Sequence, residues 1–579
     1  MIKLLRYMKK YWYIAIFAPI FMIVEVTMDM LLPHFMEQIV DYGITTSNLD
    51  NVIKYGLIML GIVFIGVLGG ILSNIFTNIS CYKFGNDLRK DVFKKIMSLS
   101  VSQADNFRVG SLVTRVTNDI TKIQNMLAMC LRGLIRSGGF FVLGIIFTLF
   151  ISYKFGLVLA VILPIQVIFT IIFLRIIFPI FIQIQERLDK VNSVVLENVD
   201  GARVVKAFSK EKHEINRFGI VNDEYTKKTL FVSRISTLIN PVLNLIVFGG
   251  QIVIYYIGGT AIITAARALT EPELMVGQIS QAITYITMIC NALIMMGLTF
   301  SNIASAMASA KRVNEVLDTE EDLVDGIYDF NSKNPVVEFR NVSFSYPNSP
   351  TCVLNNITFT INSGETIAIV GSTGCGKSTL VNLIIRLYDV TGGSIAIDDI
   401  DIRDYKKSEL RKNISICLQK ADLFAGTINE NISFGNLDST EDEIKKSAQI
   451  AQAESFILKK DDQYNEQVLE RGASLSGGQK QRLPIARAID RKPKILIFDD
   501  STSALDLITE AKLYRSLKKE MPNVTKIIVA QRIATAKNAD RILVLDNGLI
   551  ESIGTHDELM EKSNVYKDIY SSQLKKEAY

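Results

Sequence analysis

The most constraining feature of this sequence is a set of six apolar stretches within its first 302 residues. Each is about as long as the ~20 residues that an α-helix needs to cross a bilayer. They lie near residues 13–35, 55–78, 127–151, 156–180, 237–263 and 276–302. The mean hydropathy of the 579-residue chain is +0.26, which is high for a soluble enzyme. We therefore predict six membrane-spanning helices rather than six core helices of a large soluble protein.

The charges between these stretches predict their orientation. The segments 81–125 and 182–234 hold eight and ten Lys or Arg residues, whereas the three short links together hold two, Lys154 and Arg267. Positive residues accumulate on the cytoplasmic side of a membrane protein. We therefore expect both long connections and both termini to be cytoplasmic. Each connection is too long for a simple loop, so we expect the helices to leave the membrane and to meet at short helices near 107–119 and 197–218.

The overall charge and the cysteines exclude some classes of protein. The chain has 63 Lys and Arg against 59 Asp and Glu, a net charge of +4, which argues against nucleic acid as a partner. None of its six cysteines forms a CxxC pair or lies near a His at zinc spacing. We therefore expect reduced thiols rather than a disulfide framework or a zinc site.

The C-terminal part of the chain carries a phosphate-binding motif. Short β-branched runs alternate with helical patterns, which indicates an α/β domain with a largely parallel sheet. A glycine-rich loop follows one such strand and precedes a helix, as in the G-x-x-x-x-G-K-[ST] pattern. Its residues are Gly371, Ser372, Thr373, Gly374, Cys375, Gly376, Lys377, Ser378 and Thr379. Backbone N–H groups of such a loop bind phosphate oxygens, while the lysine reaches the β- and γ-phosphates and the serine holds Mg²⁺.

Two further motifs belong to the same chemistry. The apolar run KILIFDD places Asp499 at the end of a strand, where a carboxylate can hold Mg²⁺. The segment LSGGQ contains Ser476, Gly477, Gly478 and Gln479 at a helix start, which suits a second phosphate contact. One nucleotide needs only one such loop, so we expect LSGGQ to serve a nucleotide held by another subunit.

This order of motifs, followed by SALD at 503–506, resembles an ABC transporter ATPase domain. Together with six spans, the whole chain is similar to an ABC exporter half-transporter of the multidrug and lipid-exporter type. The resemblance implies an all-α six-helix transmembrane domain fused to an α/β P-loop ATPase domain, with boundaries predicted at 1–318, a linker at 319–335, and 336–579. It implies ATP and Mg²⁺ as cofactors and export across the plasma membrane. The two connection tips would be its coupling regions.

The resemblance also assigns roles to single residues. Tyr346 matches the aromatic residue that stacks on adenine, Gln419 matches the glutamine that senses Mg²⁺, and Asp506 belongs to the D-loop. Two catalytic positions depart from the family pattern. Asp500 stands where a glutamate general base is usual, and Gln531 stands where a histidine switch residue is usual. Asp is shorter by one methylene, and Gln can carry neither a proton nor a positive charge.

These departures resemble the degenerate subunit of heterodimeric ABC exporters. We therefore expect a second half-transporter as partner, with slow hydrolysis at this chain's own site. The alternatives are a homodimeric lipid or peptide exporter and a non-transporting, ATP-regulated membrane sensor. A chromosome-handling ATPase, which also uses LSGGQ, is excluded by the six spans. Small molecules, lipids and peptides all remain open as substrates.

The first span carries two acidic residues. Glu25 and Asp29 are four residues apart and therefore share one helical face. Ionisable groups at membrane depth usually face a cavity or a partner. They predict either a cation-attracting or gating site or a hydrogen-bond network at the helix end. Arg132 and Arg136 of the third span are expected to reach for the membrane interface instead.

Overall fold

The computed structural model describes residues 1–107, 109–268, 274–347 and 349–577. The chain forms two compact units. The first comprises Met1–Met97 and Gly110–Thr319, and the second comprises Ser98–Val109 and the chain from Glu320 on. Part of the predicted link 264–275 and Arg108 of the first predicted tip lie outside the described residues.

The first unit is entirely helical in its described part. Six helices are long and apolar enough to span a bilayer, as predicted: Phe17–Ile44, Leu49–Ser98, Val109–Ile151, Tyr153–Asp200, Glu211–Ala268 and Val276–Leu317. Short α-helices Ile2–Leu5 and Trp12–Ala15 flank the 3₁₀ turn Arg6–Tyr11 at the N-terminus. Finer breaks divide the long elements at the π turns Val40–Ile44, Arg115–Asp119 and Met129–Leu134, and between Thr237 and Ile239. Several helices exceed 40 residues, so they extend beyond the ~20 that a bilayer requires, which was also predicted.

Large apolar side chains cover the outside of these helices. Leu245 and Ile252 are 71% and 67% exposed, which is unusual for a protein surface in water but typical of lipid-facing helices. The buried side is formed by residues such as Ile254, Ile286 and Ile289, which have no exposed surface. The unit therefore has the pattern of a membrane domain, with its apolar surface directed outward as well as inward.

The structure confirms one predicted tip and corrects the other. Helix Ala202–Ala207 lies within the predicted 197–218 segment. The short helix of the first connection is Val101–Phe107, not 107–119, because residues from Val109 on already belong to the third long helix. Ser100 and Gln103 explain the shift, since the amide of each donates to the other's side chain in a capping box that begins the helix at this point.

The second unit contains three sheets. Its strands are β1 Val337–Phe344, β2 Leu354–Ile361, β3 Thr366–Gly371, β4 Gly392–Ile397, β5 Ile400–Asp401, β6 Ile414–Cys417, β7 Gly426–Thr427, β8 Gln467–Val468, β9 Ile495–Asp499, β10 Thr525–Val529, β11 Arg541–Asp546 and β12 Leu549–Gly554. The central sheet has the order β12-β11-β3-β10-β9-β6 and is parallel except for β12. The others have the orders β2-β1-β4-β5 and β7-β8.

Helices surround the central sheet. They are Lys377–Ile384, Lys407–Asn413, Ile428–Ser433, Glu441–Ile450, Glu454–Ile457, Gly477–Asp490, Leu507–Glu520, Ile533–Ala536, His556–Lys562 and Asn564–Glu577, with 3₁₀ turns at Gln463–Asn465 and Glu470–Gly472. Strands β9 and β10 are buried at every position, as expected for a parallel sheet covered on both faces. Because parallel strands end at the same edge, the loops after β3, β9 and β10 meet there.

The segment predicted as a linker packs onto the second unit. Leu323 and Phe330 are buried, and the Phe330 ring lies 5.5 Å from the ring of Tyr405. Arg386, only 2% exposed, donates a hydrogen bond to the carbonyl oxygen of Val324. The polar segment 319–335 is therefore packed on the surface of the second unit and is not a free linker.

Candidate functional site

The glycine-rich loop connects β3 to the helix Lys377–Ile384. Its strand is held by parallel neighbours on both sides, so the loop leaves the sheet from a fixed point. Gly371 and Gly376 have φ values of +156° and +102°, which side chains rarely permit. A Cβ on Gly371 would lie 2.1 Å from the carbonyl oxygen of Leu545. Glycine is therefore required at Gly371 and Gly376 for the tight turn of this loop.

Lys377 and Ser378 are held by specific partners in this loop. The Lys377 ammonium donates to the carbonyl oxygens of Gly371 and Ser372 at 2.9 and 2.7 Å. The Ser378 hydroxyl donates to the carboxylate of Asp499 at 2.8 Å. Two residues separated by 121 positions in the chain thus meet where β3 and β9 end.

The environment of Asp499 suits a cation. Burial raises the pKa of its carboxyl group, while the Ser378 hydrogen bond and the charge of Lys377 lower it. A buried carboxylate gains more from a nearby cation than an exposed one does, because water no longer screens its charge. This site is therefore prepared for positive charge.

Asp500, the next residue, accepts two hydrogen bonds on one oxygen. The amide groups of Gln419 and Gln531 both donate to Oδ2, the former at 3.2 Å. The backbone of Asp500 has a φ of +50°, an uncommon left-handed conformation for a non-glycine residue. The two unusual residues of the sequence, Asp500 and Gln531, are therefore direct partners in the structure.

Burial also raises the pKa of Asp500, as does the charge of Asp499. The hydrogen bond from Gln419 and the charges of Lys377 and Arg532 act in the opposite direction. The net direction is upward, so this carboxyl group keeps its proton to a higher pH than an ordinary aspartate does. A raised pKa is a common property of catalytic carboxyl groups.

A cleft of about 710 Å³ brings most of the predicted residues together. Its lining includes Tyr346, Gly371, Ser372, Thr373, Gly374, Gly376, Lys377, Ser378, Thr379, Gln419, Asp500 and Gln531. Cys375 and Asp499 do not line the cleft and lie beneath it, since both are at most 5% exposed. A volume of this size is typical of small-molecule sites.

Tyr346 lines the cleft and packs against two other aromatic rings. Its ring is perpendicular to that of Tyr388 at 5.3 Å and to that of Phe344 at 5.0 Å. Its hydroxyl group is 3.0 Å from that of Thr379 in the loop helix. These contacts fix the ring, so that its remaining face can stack on a planar group.

The LSGGQ segment is not part of this cleft. Ser476 caps the helix Gly477–Asp490, and Gln479 completes the capping box by accepting from the Ser476 amide. Ser476 and Gly477 are exposed, and among the described residues the lining of the cleft includes none of 475–479. The helix start is therefore accessible to a ligand that this cleft does not hold.

The D-loop residue Asp506 has a structural role in this chain. Its carboxylate accepts from the amide and the hydroxyl of Thr509, which caps the helix Leu507–Glu520. The backbone hydrogen bond from Thr509 is the largest cause that lowers its pKa. Asp506 does not line the cleft.

Seven residues that line the cleft were not predicted from the sequence: Val353, Val370, Val529, Ala530, Ile533, Ile569 and Gln573. Ile569 and Gln573 of the helix Asn564–Glu577 line the cleft beside Gln531. They lie 192 and 196 residues after Lys377, in a polar helical stretch without a recognisable motif. No local signal marks them, because their role depends on the packing of the last helix against the sheet.

The acidic pair in the first span has a counter-ion. The guanidinium of Arg136 lies 3.4 Å from Glu25 and 3.6 Å from Asp29. A Cβ on Gly70 would lie 2.8 Å from a Glu25 oxygen, so that glycine makes room for the carboxylate. Arg136 thus has two carboxylate partners in the first span within 4 Å, and its reach for the membrane interface stays a prediction. The pair itself forms ion pairs with the third span, whereas its role as a cation-attracting or gating site stays a prediction.

Comparison with known proteins decides the family. The family described as ABC transporter transmembrane region matches residues 15–293, and the family described as ABC transporter matches residues 354–503. The uncharacterized ABC transporter ATP-binding protein YfiB of Bacillus subtilis is 38% identical over 575 residues, 99% of each chain. This chain belongs to the ABC transporter family. It is an ABC exporter whose transmembrane domain is fused to its ATPase domain.

Other relatives define the exporter type. The ATP-dependent lipid A-core flippase of Haemophilus influenzae is 30% identical, covering 94% of this chain and 92% of its own. A solved structure of a bacterial Atm1-family ABC exporter with ATP bound superposes with a TM-score of 0.81 at 26% identity, covering 97% of this chain and 99% of that one. This exporter is therefore a multi-pass membrane protein that binds ATP and couples its hydrolysis to transport.

Proposed function

We propose that this chain is the slowly hydrolysing half of a heterodimeric exporter. Its own site would hold ATP, and its LSGGQ segment would complete the faster site of a different half-transporter. The substrate would be amphipathic or hydrophobic, and the membrane would be the plasma membrane. The excess of Lys and Arg in the two long connections supports cytoplasmic termini and a cytoplasmic ATPase domain.

The observation that carries this proposal is the pairing of Asp500 with Gln531. A general base must accept a proton from the attacking water, so its carboxylate needs a free oxygen near the γ-phosphate. Here Oδ2 of Asp500 already accepts from two amide groups, which leaves only its other oxygen to accept a proton from water. The side chain is also shorter than glutamate by one methylene, on the order of 1.5 Å. A displacement of about 1 Å can cost ~100-fold in rate.

Gln531 strengthens this argument. A histidine at the switch position could carry a proton or a positive charge toward the γ-phosphate, whereas an amide can do neither. Gln531 can still donate a hydrogen bond, so it can hold a triphosphate without promoting its cleavage. Binding without turnover is the property that a regulatory ATP site requires.

The remaining residues support tight nucleotide binding. Tyr346 would stack on adenine, while the loop amides and Lys377 would hold the phosphates. The hydroxyl of Ser378, the carboxylate of Asp499 and the amide oxygen of Gln419 form an oxygen donor set of the kind that Mg²⁺ prefers. Mg²⁺ bound there would neutralise phosphate charge. Nothing in the binding half of the site departs from the family pattern.

The exposed LSGGQ segment supports an unequal dimer. Ser476 and Gly477 are exposed and do not line this chain's cleft, so they can approach a nucleotide on another subunit. This half is intact, whereas Asp500 and Gln531 both belong to the other half. If the partner carries Glu and His at those two positions, hydrolysis would occur mainly at its site.

The test is to purify this chain alone and together with a candidate partner half-transporter, and to measure ATPase and vesicle transport rates for both. We expect low rates for the chain alone and a large increase with the partner. Rates typical of a competent exporter from the chain alone would refute the heterodimer and favour a homodimeric lipid or peptide exporter. ATP hydrolysis without transport of any amphipathic probe by the pair would favour a membrane sensor.

A further inference from the structure

The helix Asn564–Glu577 contacts the segment 531–533, which begins at the switch position Gln531, at two points. The side chain of Gln573 donates from Nε2 to the carbonyl oxygen of Gln531 at 2.7 Å. Its Oε1 accepts from the backbone amide of Ile533 at 2.8 Å. One side-chain amide thus binds the backbone on both sides of Arg532, as a neighbouring β-strand would.

The helix Asn564–Glu577 is held firmly enough to place this amide. Tyr566 is fully buried, and its hydroxyl group lies 2.8 Å from Nδ1 of His556. Ile569 packs against the same core cluster. Residues 566, 569 and 573 have the spacing i, i+3, i+7 and therefore lie on one face of the helix. Burial of Tyr566 and packing of the partly buried Ile569 fix the position of Gln573.

Glu510 makes a second set of contacts, with residues 532 and 535 of this stretch. The carboxylate of Glu510, 5% exposed, accepts from the hydroxyl of Thr535 at 2.7 Å and pairs with Arg532 at 3.2 Å. Glu510 therefore binds side chains, whereas Gln573 binds the backbone. Of these two residues, Gln573 and Glu510, only Gln573 contacts the main chain of Gln531 itself.

We propose that Gln573 is a positioning residue for the nucleotide site. Its two hydrogen bonds fix the backbone of Gln531, so that the Gln531 amide stays within reach of Asp500 and of a γ-phosphate. Gln573 acts through Gln531 and takes no part in bond cleavage. The C-terminal helix thereby sets the geometry of the residue that distinguishes a triphosphate from a diphosphate. The inference rests on the proposed function for the role of Gln531 at the γ-phosphate.

The experiment is a double-mutant cycle on the full chain in lipid nanodiscs. Binding of AMP-PNP and of ADP is measured for the wild type, Gln573→Ala, Gln531→Ala and the double variant. We expect Gln573→Ala to lower the preference for AMP-PNP over ADP by about 3- to 10-fold, the scale of one net hydrogen bond. In the Gln531→Ala background, the same substitution should change nothing further. Ser572→Ala is the matched control, since its exposed hydroxyl donates only to Ile569 within the helix.

Two further measurements keep the outcome decisive if Gln573→Ala loosens the helix. Gln573→Glu keeps the acceptor for Ile533 but loses the donor to Gln531, so it should lower the preference while the helix stays in place. Hydrogen exchange of the peptide 525–536 should show faster exchange at one amide, that of Ile533, in Gln573→Ala only.

Each result has one meaning. Equal effects of Gln573→Ala in both backgrounds, or no change in exchange and preference, would overturn the positioning role. Faster exchange with an unchanged preference in both Gln531 backgrounds would support positioning of the segment but refute the proposed role of Gln531. Brisk hydrolysis by the wild type would refute the proposed function alone, because the cycle uses a non-hydrolysed analogue.

Discussion

Replacing Asp500 by glutamate should restore hydrolysis at this site. In the structure, the Asp500 carboxylate stops at the amide groups of Gln419 and Gln531, which both bind one of its oxygens. An added methylene extends the carboxylate by on the order of 1.5 Å, past these donors and toward the phosphate end of the cleft. Since ~1 Å of misplacement can cost about 100-fold, we expect Asp500→Glu to raise kcat by roughly 10- to 100-fold. This corresponds to about 1.4–2.7 kcal/mol of barrier.

The assay is steady-state phosphate release from the reconstituted chain, with its dimeric fraction isolated first. Combining Asp500→Glu with Lys377→Ala should abolish the gain, which assigns it to this site. Asp500→Asn, which has the same shape without the charge, should lie at or below the wild-type rate. If Asp500→Glu stays within twofold of the wild type while Lys377→Ala still removes the basal rate, side-chain length does not limit hydrolysis and the reasoning fails.

Three other predictions follow from the same site. Because burial raises the pKa of Asp500, the hydrolysis rate should fall as the pH drops, at a pH above the ordinary aspartate pKa of about 3.9. Asp500→Asn should remove this acid-side decline from the pH–rate profile. Cys375 is buried beneath the loop, so a maleimide should react with it slowly, during transient opening of the nucleotide-free loop. This slow reaction should lower ATP binding, and bound ATP should protect against it. Cys375→Ser should abolish the slow loss, whereas a loss that persists in Cys375→Ser, or that disappears in the exposed Cys352→Ser control, would contradict this. Gly371→Ala should destabilise the ATPase unit by about 2–4 kcal/mol in thermal unfolding, because the added Cβ would collide with a carbonyl oxygen. Gly477→Ala, where the added Cβ has no neighbour closer than 3.9 Å, should be nearly neutral. Equal unfolding temperatures of the two variants would refute the clash.

Local signals made the six spans and the nucleotide loop predictable. Apolar length alone identifies a spanning helix, and the loop pattern between a strand and a helix identifies a phosphate site. The first connecting helix, predicted near 107–119, begins earlier in the chain, at Val101. The capping pair Ser100 and Gln103 was the better signal, and it is visible in the sequence.

Tertiary contacts account for what the sequence could not provide. The pairing of Arg136 with Glu25 joins residues 111 positions apart, and that of Gln573 with Gln531 joins residues 42 apart. Neither pair has a periodicity or motif that links its members. The substitutions at positions 500 and 531 are readable in the sequence, but their direct hydrogen bond depends on how β9 and β10 align in the sheet.

The most direct test of the central claim is the identity of the nucleotide that the assembled exporter retains. The complex of this chain with its partner is incubated with Mg²⁺ and ATP, desalted rapidly, and its bound nucleotides are separated and counted. We predict one unhydrolysed ATP per dimer, lost in Lys377→Ala of this chain and kept when the partner's corresponding lysine is changed. Retention of ADP alone, or two equivalent sites that both turn over, would contradict the account.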